Sequence, residues 1–283
     1  MSETGHHGGD GRRPERISVV IPVHDDALML ERCLAALAVQ TRAADEIVVV
    51  DNASTDDSAD VARRGGARVV TEPVLGILAA TSAGFDAATG TILARVDADS
   101  VPPPDWLERV ERTFENNPGT AAITGPGDFY GSNAFVRRIA RVVYIGGYFW
   151  SMGILLGHPP LFGSNMAVRA DAWSRIRGSV HRRQRTVHDD LDISFALEPD
   201  MRVVYDRNLS VGISARPFDS WRGLARRLGW AWTTISLGVR THPPLARRRA
   251  RRAAEARARA TASAPAPRAM PAMDDPGRAP ELG

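Results

Sequence analysis

The sequence predicts an α/β protein built on a mostly parallel central sheet with helices on both faces. Three observations predict it. Short β-branched runs alternate along the chain with segments of helical periodicity. Those runs are apolar throughout rather than at every second residue, as strands buried on both faces require. Three of the first four end in acidic or polar residues, and in such sheets ligands bind at the carboxyl ends of the strands.

Each element follows in order. Ile17–Ile21 is a β-branched run ended by Pro22, and Asp26–Gln40 carries Leu30, Cys33, Leu34 and Leu37 at the spacing of one helix face. Glu46–Val50 is a second buried strand. Ser54 and Thr55, followed by Asp56 and Asp57, read as a helix start with acids in its first turn. Arg68–Thr71 is a third strand, Leu75–Ala88 a helix, and Thr91–Val96 a fourth strand that runs into Asp97-Ala98-Asp99. Pro102–Pro104 leads into a helix over Trp106–Asn116 and a strand over Ala121–Thr124.

The second half is less regular. Ala134–Leu156 is apolar and aromatic, and Val142–Gly157 has sixteen residues without a charge. That falls short of the roughly 20 needed to span a bilayer. With Gly146, Gly147 and Gly153 inside it, the segment reads as a core helix, the alternative being a helix lying on a membrane surface.

A chain of 283 residues can bury a full core, and 43% hydrophobic with 24% charged residues suits a soluble domain. Every basic residue other than histidine is Arg, which fits drift in a GC-rich genome. Of the net charge of +3, residues 246–283 supply a surplus, with nine Arg against four acids. The remainder is near neutral, which argues against a nucleic-acid-binding body. The single Cys33 falls in a helical pattern and reads as apolar filler, with no disulfide possible inside the chain. Met1–Arg16 is polar and Gly-rich, unlike a signal peptide, so a cytoplasmic protein is expected. The expected organisation is a disordered leader over 1–15, one domain over 16–245 and a largely disordered Arg/Ala/Pro-rich tail over 246–283, whose Ala246–Arg259 run has helical propensity.

His24-Asp25-Asp26, Asp51-Asn52 and Asp97-Ala98-Asp99 would gather at least five carboxylates at one sheet edge. They would repel one another, and a cation is the simplest physical account. Hard oxygen ligands suit Mg²⁺ or Mn²⁺, which keep positions open for phosphate oxygens and water. The bland reading of Asp97–Asp99 is a loop of solvated acids capping the following helix.

At this point the sequence resembles a known family, the inverting family 2 glycosyltransferases of the GT-A fold. Ile17–Asp26 is similar to the family's S-V-I-I-P-x-x-N-E opening, and Glu46–Ser54 to its second-strand motif ending in D-x-x-S. Asp97–Asp99 falls at its D-x-D, Gly163–Arg169 looks like its G-x-N-x-A-x-R strand, and His188–Asp192 like its E-D-x-D helix start. The likeness covers residues 17–195 and thins after Phe195. It implies a GT-A fold, Rossmann-like, in a single catalytic domain, divided into a nucleotide-sugar-binding half (16–101) and an acceptor half (102–245). It further implies a UDP- or GDP-sugar donor, with Pro22, His24, Asp25 and Asp51 on the nucleotide side. Asp99 would be the main metal ligand, and Asp97 a ribose or metal contact. Asp190 would be the general base of a single, inverting displacement, with Asp189 and Asp192 as competitors for that role. Gly163 and Asn165 would lie on the acceptor side. The bland reading of Asp189–Asp192 is an acid cluster favoured by a helix N-terminus.

Three departures from the family pattern stand out. Its G-x-x-x-A-R-N-x-G segment appears as Gly76–Gly84 with Thr81 and Ser82 in place of Arg-Asn, so Arg95 is expected to supply the missing nucleotide contact. Asp25 replaces an Asn. The Q-x-x-R-W motif of processive members is missing, with Arg226–Trp230 only a faint echo, which favours single addition. A nucleotidyltransferase should carry a Gly-rich, basic loop after the first strand, and a nicotinamide enzyme G-x-G-x-x-G; neither is there. An inactive binding relative predicts loss of the metal or base carboxylates, and all are retained. The apolar 142–156 segment, the Arg-rich 222–227 stretch and the basic tail suggest anionic lipid. The expectation is a lipid-linked or membrane-proximal acceptor and a peripheral position at the inner face of the plasma membrane. The bland alternative is a solubilising tail.

Overall fold

The computed structural model describes residues 15–130, 146–214 and 221–262. Residues 1–14 of the leader, all of 134–145 and the tail beyond 262 lie outside them.

Seven strands form one sheet in the order β3-β2-β1-β4-β7-β5-β8. They are β1 (Ile17–Val23), β2 (Glu46–Asp51), β3 (Arg68–Thr71), β4 (Ile92–Arg95), β5 (Thr120–Thr124), β7 (Met166–Arg169) and β8 (Arg202–Tyr205). β1 pairs in parallel with β2 and β4, β2 with β3, and β5 with β8. β7 alone runs against its two neighbours, β4 and β5. A small parallel pair, β6 (Gly127–Tyr130) and β9 (Val211–Ser214), stands beside the sheet and is bridged to it through Val101 and Gly212.

Alternation along β1 sends successive side chains to opposite layers. Ile17, Val19, Ile21 and Val23 pack with Leu30, Cys33, Leu34 and Leu37 of α1 (Ala27–Ala38) and with Trp106, Val110 and Phe114 of α4 (Trp106–Asn116). α2 (Ser58–Arg64) adds Val61 and Ala62 to the same layer. Val20 packs the other way, with Leu78 and Phe85 of α3 (Ile77–Ala87), Trp173 and Ile176 of α6 (Ala170–Ile176) and Ile193 of α7 (Asp189–Ala196). Both faces are therefore covered, as the apolar runs predict. α3 crosses β1 and β2 at Gly84, where an added Cβ would meet Val20 Cγ1 at 2.3 Å and Val50 Cγ2 at 2.8 Å. Only glycine permits that approach.

Three expectations are corrected. The helix expected from Ser54 begins at Ser58, because Asp51 and Asp25 capture the backbone amides of Ser54, Thr55 and Asp56 in a loop. The apolar segment is not a core helix in its described part. α5 (Gly147–Leu156) buries Leu156 but leaves Trp150 72% exposed. The domain also does not stop at 245. After α8 (Trp221–Thr241), α9 (Pro244–Ala262) returns to the body and buries Arg247 and Arg251 against it. Leu156, Leu191 and Phe195 form a third apolar cluster, with Ile235 and Val239 of α8 against it.

Candidate active site

The carboxyl ends of β1, β2 and β4 open on one edge of the sheet, and the chain's chemistry gathers there. After β1 the backbone turns at Asp25 with φ 48°, a left-handed conformation that Asp and Asn tolerate better than most residues. Asp25 Oδ1 accepts hydrogen bonds from Thr55 N at 2.6 Å, Thr55 Oγ1 at 3.2 Å and Asp56 N at 3.3 Å. Those bonds, the Thr55 amide foremost, hold its carboxyl below the ordinary range. The replacement of Asn by Asp thus ties two loops together with its charge.

Asp51 ends β2, its Oδ1 accepting from Ser54 N at 3.1 Å. Beside it, Ala53 takes φ 57°. The Asn52 amide receives Gly76 N at 2.8 Å and donates to the carbonyls of Glu72 and Val74, both at 2.9 Å. That fixes the loop leading into α3. His24 is half-exposed, with Nδ1 2.9 Å from the Asn52 carbonyl. Pro22 is buried within β1.

Arg95, the last residue of β4, is 1% exposed. One nitrogen, Nη2, lies 2.9 Å from Asp97 Oδ1 and 3.0 Å from Asp189 Oδ2. Burial alone would lower the pKa of this guanidinium, but Asp189, Asp97 and Asp190 outweigh it and hold it above its usual value. The arginine expected on the nucleotide therefore spends its charge inside the protein, joining the D-x-D turn to the start of α7. Asp189 also accepts Thr81 Oγ1 at 2.7 Å. Thr81 is fully buried, and so is Ser82, whose hydroxyl has no hydrogen-bond partner.

The antiparallel strand explains why Gly163–Asn165 reach this edge. The register pairs Arg95 with Met166, so the residues before β7 face those after β4. Ser164 Oγ donates to Asp97 Oδ2, and Gly163 N donates to Asp190 Oδ2 at 2.9 Å. An added Cβ at Gly163 would lie 2.6 Å from Arg95 Nη1. Asn165 does not face the cleft. It is fully buried, accepting from Trp106 Nε1 at 2.9 Å and donating to the Pro126 and Leu209 carbonyls.

Three acids open α7, at the end where its free amides favour negative charge. Asp190 is half-buried, and burial, with Asp189 next to it, raises its pKa. Asp192 turns elsewhere. It is 3% exposed and binds His181 through Nδ1 at 2.7 Å and the backbone amide at 2.9 Å.

Of the carboxylates expected to pool, Asp25 is engaged with its loop and Asp97 pairs with Arg95, whose cation is shared with Asp189 and Asp190. Among the described residues no three His, Cys, Asp or Glu side chains converge to hold a metal ion by themselves. Asp97 and Asp99 remain partly exposed at the rim, and next to them the buried Ser100 hydroxyl has no partner. A two-carboxylate set fits a cation that completes its shell with phosphate and water oxygens.

The pattern of the glycosyl transferase family 2 matches residues 18–181. The chain belongs to glycosyltransferase family 2. Glycosyltransferase AglE of Haloferax volcanii is 33% identical over 126 residues, 41% of this chain and 38% of that protein. The matches to curated relatives span between 32% and 48% of those proteins' length. Among solved structures, a mannosyltransferase from Pyrobaculum calidifontis in complex with GDP-Man and Mn²⁺ has a TM-score of 0.59 at 19% identity. It aligns over 88% of this chain and 76% of that one. Glucosyl-3-phosphoglycerate synthase from Mycobacterium tuberculosis, with Mn²⁺, UDP and glucosyl-3-phosphoglycerate, reaches 0.53 at 21% identity. There the alignment covers 79% of this chain and 80% of that one. These neighbours share the GT-A fold, a mostly parallel sheet with helices around it.

Three contacts at this edge could not be read from the sequence. The ion pairs of Arg95 with Asp97 and Asp189 were not expected, although a charge closing the apolar run Ile92–Ala94 points to acids buried with it. The partners of Thr81 and Ser164, Asp189 and Asp97, gave no signal, since a hydroxyl in sequence does not name what it bonds.

Proposed function

We propose that the chain transfers one sugar from a nucleotide-sugar donor to an acceptor hydroxyl by a single inverting displacement, with Asp190 as general base. The observation that carries the reading is Asp190 itself. It is a half-buried carboxylate at a helix N-terminus, with raised pKa, fixed by the Gly163 amide and joined through Arg95 and Asp189 to the Asp97–Asp99 turn. Its pKa is shifted toward the range in which a base both stays ionised and accepts a proton effectively. The acceptor oxygen loses its proton to Asp190 as it attacks the anomeric carbon, and the nucleoside diphosphate leaves from the opposite face, inverting that centre.

Asp51 would take hydroxyl or N–H donors of the nucleoside, its Oδ1 already turned by Ser54. Asp99, with Asp97, would hold Mg²⁺ or Mn²⁺, which supplies Lewis-acid stabilisation of the departing diphosphate. GDP-Man and Mn²⁺ in the Pyrobaculum enzyme, and UDP and Mn²⁺ in the mycobacterial one, support a purine- or pyrimidine-nucleoside-diphosphate sugar and a divalent ion. A lipid-linked or membrane-proximal acceptor is supported by exposed Trp150 and Ile154 on α5 and Leu228 and Trp232 on α8. Among the described residues no helix is long and apolar enough to cross a membrane.

A thermal-shift panel of UDP-, GDP- and dTDP-sugars with and without Mn²⁺ tests the reading, because ligand binding to the folded state raises its stability. One nucleotide should stabilise the protein more with Mn²⁺ than without. No response to any of them, or a response indifferent to metal and to Asp99→Ala, overturns it.

A further inference from the structure

Two arginines one turn apart on α9, Arg247 and Arg251, are each 6% exposed, yet their surroundings differ. Arg247 is saturated. It donates to the carbonyls of Leu156, Phe195, Ser194 and Leu197 at 2.5–3.0 Å, and to His158 Nε2 at 3.1 Å. Most of these acceptors close the C-terminal end of α7, where a helix favours positive charge. Burial and the two arginines hold His158 well below its ordinary pKa, so it meets Arg247 as a neutral acceptor.

Arg251 makes one hydrogen bond, Nη1 to the Met201 carbonyl at 2.9 Å. Its buried Nε and Nη2 have no partner. Burial lowers its pKa to about 10, which leaves it cationic at neutral pH. Glu255 and Asp200 act on it through space, but neither forms an ion pair with it. Leaving a buried cation unpaired is costly enough that native structures seldom do so without a ligand to meet it.

Arg251 faces a cavity of about 630 Å³ between α5 and α9. Arg248 and Arg252 line the same cavity, against a single acid, Glu255. Opposite them stand Phe149, Trp150, Ile154 and Tyr205. Trp150 is 72% exposed and Ile154 47%, so the apolar wall continues out to the surface. The chamber thus has a cationic floor and an aromatic mouth. It lies by the C-terminal end of α7, about 12 Å along that helix from the acids of its first turn.

We propose that this cavity is a second binding site, separate from the sheet-edge cleft, for an amphiphile with a phosphate head. The phosphate meets Arg248 and Arg252 on the cavity wall, and the unpaired charge of Arg251, buried behind them, adds to the attraction. The apolar chain leaves across Trp150 and Ile154. The site does not depend on the assignment of Asp190 or of the metal.

Calorimetry and thermal shift on the full chain test it, with inorganic phosphate, decyl phosphate below its micellar concentration, and decanol. Decyl phosphate should bind at least about tenfold tighter than inorganic phosphate, since two or more buried methylenes give that factor. Decanol should not bind, and saturating UDP with Mn²⁺ should leave the decyl phosphate affinity unchanged. Arg251→Met should lose the decyl phosphate response tenfold or more while melting no lower without ligand, because it removes an unpaired charge. Trp150→Ala, at an exposed position, should weaken decyl phosphate and leave inorganic phosphate unaffected. Equal decyl phosphate affinity in Arg251→Met overturns the site, as does decanol binding as tightly as decyl phosphate. If Arg251→Met fails to fold, Trp150→Ala decides, and an unaltered preference for decyl phosphate there overturns the proposal.

Discussion

The two ends of α7 bury arginine in opposite ways. At its N-terminus, Arg95 from β4 is 1% exposed and held by Asp97 and Asp189, with Asp190 close by. Past its C-terminus, beside Arg247, Arg251 from α9 is 6% exposed, with the Met201 carbonyl as its one hydrogen-bond partner and no carboxylate in contact. Burial is nearly the same, so counter-charge makes the difference. A buried cation already surrounded by its own acids is a strut that positions them. A buried cation lacking them marks a place for an outside anion. On the proposed function the reacting group at the first end is not the arginine but the acid beside it, Asp190.

The largest effect should come from removing that acid. Asp190→Asn keeps its size and its acceptor for the Gly163 amide, and should lower kcat about 10²–10⁴-fold with donor affinity nearly intact. Turnover within a few fold of the parent would remove Asp190 as base and leave both ends of α7 structural. The raised pKa has two readable signs. Activity needs the carboxylate, so kcat/KM should fall as pH drops through the raised value. Stability moves the other way. The folded state binds this proton more tightly than the unfolded chain, so the contribution is full below the ordinary carboxyl value near 3.8 and lost as pH rises through the folded value. Asp192, also raised by burial, acts in the same sense. A melting profile of the ligand-free protein against pH checks it.

Next in size is the strut. Arg95→Met should destabilise the fold by about 3–5 kcal/mol, since it leaves the buried carboxylate of Asp189 without its charged partner. Arg251→Met, the same change at the same burial, should cost nothing measurable. Denaturant midpoints of the two variants measure the contrast directly, and equal losses would break the comparison. Gly163→Ala should cost about 1–3 kcal/mol, because its Cβ would press on Arg95 Nη1 at 2.6 Å and touch Asp190 Oδ2 at 3.4 Å. It should also lower kcat more than donor affinity, as the pressure falls on the base.

The sheet and its acidic edge were legible because their signals are local and redundant. β1 is apolar at nearly every position and buried at all of them, and Asp97–Asp99 follows a strand directly. The rest was hidden for physical reasons. α5 has the composition of a core helix, but composition does not say whether a partner covers it, and only Leu156 is buried. The Arg/Ala run of α9 has the composition of a solvated tail. What seats it is a pair of arginines four residues apart, reaching carbonyls that belong to α7 and to the turn before β8. The true partner of Arg95 was equally hidden, because Asp189 lies 94 positions away in the chain and the contact depends on how α7 docks.

The smallest prediction tests whether Thr81 belongs to the strut or to the donor. In the family pattern an arginine stands at this position. Here the threonine is fully buried, and its hydroxyl donates to Asp189 Oδ2 at 2.7 Å. Thr81→Val preserves shape and deletes that one hydrogen bond. Asp189 keeps Arg95, so no carboxylate is orphaned, and the loss should be about 1 kcal/mol. It should appear as a lower urea midpoint with an unchanged slope. Donor KM should not move, because the hydroxyl does not reach the cleft. A several-fold rise in donor KM with unchanged stability would instead place Thr81 on the nucleotide, and the N-terminal end of α7 would then be open to ligand at a second point.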